Sequence, residues 1–135
     1  MNPRLAAASL LAVVLLTACT KHVDDGSAAA RRLCISIGAG EGITPVPDSS
    51  SEERDWAKLA DAANTSADQA ASAARKDNRW DRLADSLNTL QRLDAGLAAQ
   101  QAAGTAVHQF APEGRLQAGQ ALDVLEAECR KARAD

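Results

Sequence analysis

Between residues 56 and 74, apolar side chains fall at Trp56, Ala60, Ala63, Ala67, Ala70 and Ala74, in steps of four, three, four, three and four. At about 3.6 residues per turn, an α-helix puts those positions on one face. The stretch therefore predicts a long helix with one narrow apolar stripe that a partner helix must cover. Alanine lets two helices approach closely, but it buries little area per residue, and burial is worth only about 25 cal/mol per Å². A core built on such a stripe needs larger side chains opposite it.

They come next in the chain. Trp80, Leu83, Leu87, Leu90 and Leu97, with Leu93 beside them, make the stripe of a second helix. The two stripes do not share one register across residues 75–80, which favours a turn over one continuous helix. The first helix is expected to start at a capping box, Ser50 with Glu53 or Ser49 with Glu52, and to end near Lys76. Asp77 or Asn78 then caps the second helix, which fades over residues 102–108, with Gly104 as a stop. Pro112, at a first-turn position, opens a third helix, with Ala118, Leu122, Leu125 and Cys129 as its inner stripe and fraying after Lys131.

Val, Ile and aromatic residues are scarce after residue 50. The whole chain has no Tyr, a single Phe (Phe110) and two Trp, which argues against a β-sandwich or barrel. The fold expected is all-α: a small up-down helical bundle of three long helices plus a short N-terminal element. That element reads either as a helix over residues 28–33 capped by Ser27 or as an extended run over residues 33–37, and the sequence leaves the choice open. Residues 38–51, rich in Gly, Pro and Ser, read as a loop.

The N-terminus has the three parts of an export signal. Arg4 gives the positive region, and residues 5–16 form an apolar run interrupted only by Ser9. That run is short of the ~20 residues a membrane-spanning helix needs. Leu16-Thr17-Ala18-Cys19 then supplies an aliphatic residue, a hydroxyl residue, a small residue and a cysteine. In these four positions the chain resembles the bacterial lipoprotein signal family. The resemblance covers residues 1–19 only. It implies lipidation of Cys19, cleavage after Ala18, and a mature chain of about 117 residues held at a membrane by acyl chains worth ~0.8 kcal/mol per buried methylene. Thr20, rather than Asp, follows the cysteine, which by family analogy implies the outer membrane in a two-membrane bacterium. The domain organisation expected is a signal peptide over 1–18, a polar tether over 19–26 and one helical domain over 27–135. The localisation expected is lipid-anchored outside the cytoplasmic membrane. The long stripes and acylated cysteine also resemble a small envelope-spacer lipoprotein, but that family forms one uninterrupted helix, and the breaks near 77 and 104 argue against it.

Two cysteines remain, Cys34 and Cys129. An even pair in an oxidising compartment predicts one bridge. Cys129 is expected at the end of the bundle opposite the start of the first long helix. A Cys34–Cys129 bond then requires the Gly/Pro loop to run back along the bundle, and residues 27–37 to pack at that far end with the two Cα atoms within about 7 Å.

Residues 56–65 and 80–89 are alike: Trp56/Trp80, Leu59/Leu83, Ala60/Ala84, Asp61/Asp85, Asn64/Asn88 and Thr65/Thr89 are identical pairs. Core demand explains the Trp, Leu and Ala pairs. It does not explain Asp61, Thr65, Asp85 and Thr89, which lie about 140° to 180° from the Trp direction and should face solvent as a candidate interaction patch.

Other chemistries find little support. Net charge is −3, so no basic footprint argues for nucleic acid. Gly38, Gly40 and Gly42 follow a strand-like run, but Pro45 and Pro47, not a helix, come next, so a dinucleotide loop is not indicated. The two histidines, His22 and His108, are isolated, and no metal or cofactor is expected. The carboxylates read as solvated surface groups beside Arg. No catalytic grouping stands out, and the chain is not expected to be an enzyme. Two readings follow: a surface-anchored interaction or accessory protein with an envelope protein as partner, or a lipoprotein holding a small apolar molecule between its helices. An internal cavity above roughly 300 Å³ favours the second. An exposed apolar patch of several hundred Å² favours the first.

Overall fold

The computed structural model describes residues 21–41, 54–107 and 110–135, with the backbone alone over 21–25. Among the described residues four α-helices follow one another: α1 (Lys21–Ser36), α2 (Trp56–Lys76), α3 (Asp81–Ala102) and α4 (Pro112–Ala134). No strand occurs among the described residues. The expected bundle is present, with the short N-terminal element formed as a helix of 16 residues. That settles the choice left open over residues 27–37. The helix begins six residues ahead of Ser27, so Ser27 lies within it and residues 21–26 are helical where a polar tether was expected. The signal residues 1–18, Cys19, the 42–53 stretch with its Ser50/Glu53 capping box, and His108 lie outside the described residues.

Local signals account for most helix ends. Asp55 caps α2, its carboxylate accepting the Lys58 N–H at 3.0 Å. This corrects the expected start near Ser50: α2 is 21 residues long, or about 31 Å. It ends at Lys76, and Asp77 turns extended at φ −152°. The Asp77 carboxylate then accepts the Arg79 N–H at the head of a single 3₁₀ turn, Asn78–Trp80, that leads into α3. The register change between the stripes is therefore a real break. α3 stops at Ala102, with the Thr105 N–H closing back on the Gln100 carbonyl at 3.1 Å across Gly104. Pro112 stands in the first turn of α4, and that helix runs three residues beyond the expected fraying point.

The helices run up and down in turn. Ser27 of α1 accepts a hydrogen bond from Arg79, and Arg79 also pairs with Asp135 at 3.2 Å. The start of α1, the α2–α3 turn and the end of α4 thus share one end of the bundle. From there α1 runs inward to Cys34, whose Sγ bonds that of Cys129 with the Cα atoms 5.3 Å apart. Of the expected loop, residues 38–41 lie among the described residues. Past Gly38 (φ +69°) the chain reverses, and Gly40 lies on the α4 backbone. A Cβ there would stand 2.8 Å from the Cys129 carbonyl carbon, at a φ of +88°. Only glycine fits that approach. Two of the three glycines noted in that run, Gly38 and Gly40, take up this reversal.

Burial divides into two clusters. The larger gathers Ala30, Leu33 and Cys34 of α1 with Ala67, Ala70 and Ala73 of α2, and with Trp80, Leu83 and Leu87 opposite. The smaller lies at the other end, where Trp56 packs with Leu97, Val107 and Phe110. Trp56 donates Nε1–H to the Val107 carbonyl at 2.8 Å, and its ring centroid lies 5.6 Å from that of Phe110. Each tryptophan closes one end of the bundle, as the antiparallel pairing of the two stripes requires.

Candidate functional site

Because α1 ends at Ser36, it covers only the half of α2 that holds Ala67, Ala70 and Ala73. Along the other half lies a groove of about 420 Å³. Leu87, Leu90, Leu122 and Leu125 of α3 and α4 form its floor, and Leu59, Ala62, Ala63 and Ser66 of α2 form one wall. Trp56 and Phe110 close one end, and Ile37, Gly38 and Ala39 close the other.

The repeat shows what this does to identical sequence. Leu83 is 0 % exposed, whereas Leu59, its equivalent, is 41 % exposed on the groove wall. Core demand was expected to bury both. Only Leu83 has α1 laid over its end of the bundle, so the same residue is core in one copy and ligand-accessible surface in the other.

Among the described residues, three charged ones line the groove: Arg54, Asp94 and Glu126. Glu126 holds the return loop, its Oε2 accepting the Gly40 N–H at 2.7 Å while Oε1 faces Arg130 at 3.6 Å. Arg54 lies with its guanidinium 5.9 Å from the Trp56 ring centroid, and its carbonyl accepts from Gln101 Nε2 at 2.9 Å. Asp94 is half-buried with no hydrogen bond or ion pair among the described residues. Burial raises its carboxyl above the ordinary aspartate value. The raised value means that folding favours the neutral form. Stability from this group is fully present below the ordinary aspartate pKa of about 3.9 and is lost as pH rises through the higher folded value. Asp94→Asn, neutral throughout, is accordingly expected to melt above the wild type at neutral pH. The difference should close in acid, which thermal unfolding across that range reads directly.

A second, larger groove of about 510 Å³ runs between α3 and α4 and is polar, lined by Arg82, Asp85, Thr89, Arg92 and two glutamines among others. Asp85 and Thr89 of the candidate patch belong to it. Asp61 and Thr65 are exposed on α2. Counted from the helix ends at the α2–α3 turn, at about 1.5 Å per residue, Asp61 lies roughly 16 Å further along the axis than Asp85, whereas Thr65 lies only about 4 Å further than Thr89. Asp61, Thr65 and Asp85 are exposed and Thr89 is half-buried, and only Asp85 and Thr89 border the groove between α3 and α4. Each threonine hydroxyl is turned back on the helix: Thr65 donates to the Asp61 carbonyl and Thr89 to the Asp85 carbonyl, both at 3.0 Å.

One carboxylate departs from the surface pattern. Glu128 is 2 % exposed, with its Oε1 2.8 Å from Lys131 Nζ and 3.7 Å from Arg82. It is a paired buried charge within the α3–α4 contact. Trp80 Nε1 is buried with no partner among the described residues. Asp77 Oδ2, also buried, is met by Arg79 Nε at 2.6 Å as an ion pair without an aligned hydrogen bond.

Sequence reasoning missed Asp94 and Leu59 as site residues, because both sit in ordinary helical patterns. The available signal was the mismatch between a short first element and three long helices. Among the described residues no group of three or more His, Cys, Asp or Glu is arranged to hold a metal, and no helix is long and apolar enough to cross a membrane. Comparison with known proteins finds no matching family model, no matching characterised protein and no matching solved structure.

Proposed function

We propose that this chain is a membrane-anchored, extracytoplasmic lipoprotein, acylated at Cys19, that holds a small apolar ligand between its helices and carries out no catalysis. The anchor rests on the Leu16-Thr17-Ala18-Cys19 box. The ligand reading rests on one observation: the groove beside α2, open on one side, offers about 420 Å³ against leucine, alanine, Trp56 and Phe110, within the size range of small-molecule clefts. It takes precedence over the interaction-protein reading, since only Asp85 and Thr89 of its four repeated residues line the groove between α3 and α4.

The test is titration with N-phenyl-1-naphthylamine, a neutral probe that fluoresces in apolar surroundings. Binding that saturates at one probe per chain supports the reading. Ala62, exposed on the groove wall, accepts a larger side chain without disturbing the buried packing. Ala62→Trp is expected to fill the groove and weaken binding about tenfold or more, with melting unchanged. Equal binding by this variant would remove the groove from consideration. Palmitate labelling in cells, lost in Cys19→Ser, tests the anchor.

A further inference from the structure

We infer that the groove selects a cationic amphiphile, its apolar tail along α3 and α4 and its protonated amine against the Asp94 carboxylate. This rests on the ligand-binding reading above and names the ligand class.

The charges in the groove carry the argument. Glu126 holds the Gly40 return and faces Arg130, and Arg54 packs over Trp56 with its carbonyl held by Gln101. Both have structural work. Asp94 has none: no described group donates to it, although burial disfavours its charge. A half-desolvated carboxylate without a partner destabilises the fold it sits in.

Its position matches an amphiphile. Asp94 lies one turn beyond Leu90 and two beyond Leu87 on α3, on the side towards Trp56. An ammonium at Asp94 leaves Leu90, Leu87, Leu122 and Leu125 for a tail running towards Ile37. Among the described groove residues an anionic head group would meet two carboxylates, Asp94 and Glu126, against one guanidinium, Arg54. A neutral head group would complete the desolvation of Asp94 without replacing its water. An amine supplies a charge-assisted hydrogen bond at that point.

The experiment uses three ligands with one tail and three heads: decylamine, decanol and decanoate, at neutral pH and below their micellar concentrations. The protein is the chain from Thr20 to Asp135, which contains both core clusters and the disulfide complete. Trp80→Phe leaves Trp56, in the groove wall, as the single tryptophan, and its emission reports occupancy. Decylamine is expected to bind at least about tenfold more tightly than decanol or decanoate. Asp94→Asn should erase that preference while leaving decanol binding unchanged or tighter. If decanol matches decylamine with Asp94 in place, or if Asp94→Asn keeps the preference, the amine proposal is overturned and the apolar groove stands. If none of the three binds, the ligand-binding reading falls with it.

Discussion

Replacing Cys34 and Cys129 together by alanine is expected to lower the stability of the bundle by about 4 to 5 kcal/mol. The bond joins residues 95 apart, and closing so long a loop removes much of the freedom of the unfolded chain. Alanine is the right substitute because both positions are fully buried, and a serine hydroxyl there would add its own unpaired polar group. The thermal midpoint should fall by roughly 15 °C or more for a domain of this size. Reducing agent should reproduce the shift in the wild type and do nothing further to the double variant. The large share carried by one bond follows from the alanine stripe: Ala67, Ala70 and Ala73 give α1 a close seat with little area. Besides the bond, Arg133 fastens the end of α1. It donates to the Ala39 carbonyl at 2.6 Å and the Cys34 carbonyl at 3.3 Å, and it pairs with Glu41 at 3.0 Å. A loss below about 1 kcal/mol would mean that Arg133 and the Gly40 contact hold α1 without covalent help.

Truncating either tryptophan to alanine should cost about 3 kcal/mol or more, the usual range for a buried aromatic. Trp56 and Trp80 are 2 % and 1 % exposed and anchor separate clusters. The sharper result comes from phenylalanine. Trp56→Phe loses the hydrogen bond to the Val107 carbonyl, leaving a buried acceptor unmatched. Trp80→Phe loses no hydrogen bond, since Nε1 has no partner among the described residues. Trp56→Phe is therefore expected to be the more destabilising by about 1 kcal/mol, measured by urea unfolding of the two variants. Equal costs would mean that ring volume alone sets the value of both positions.

Much of this architecture was legible in the residues. The three-four spacing of Trp56 to Ala74 and of Trp80 to Leu97 marks which face of each helix is apolar. The register change places the break at residue 77, Pro112 opens the last helix, and the pairing of Cys34 with Cys129 seats the first element against the last. The start of α2 was misplaced because two Ser/Glu pairs competed with Asp55, and capping signals five residues apart have the same local chemistry. The candidate site was far less legible. Asp94 reads as one more acidic residue on a helix, and Leu59 reads as core.

What the sequence determined by itself is which faces of the three long helices are apolar and where the chain breaks between them, because each follows from local periodicity. What only the tertiary structure decided is how far each apolar face is covered. A stripe tells a helix to seek a partner but carries no information on the partner's length. Here α1 stops at Ser36 and turns back at Gly40, so Leu83 is sealed while Leu59 and Asp94 border an open groove. Coverage is a property of elements distant in sequence and meeting in space, and no window along the chain contains it.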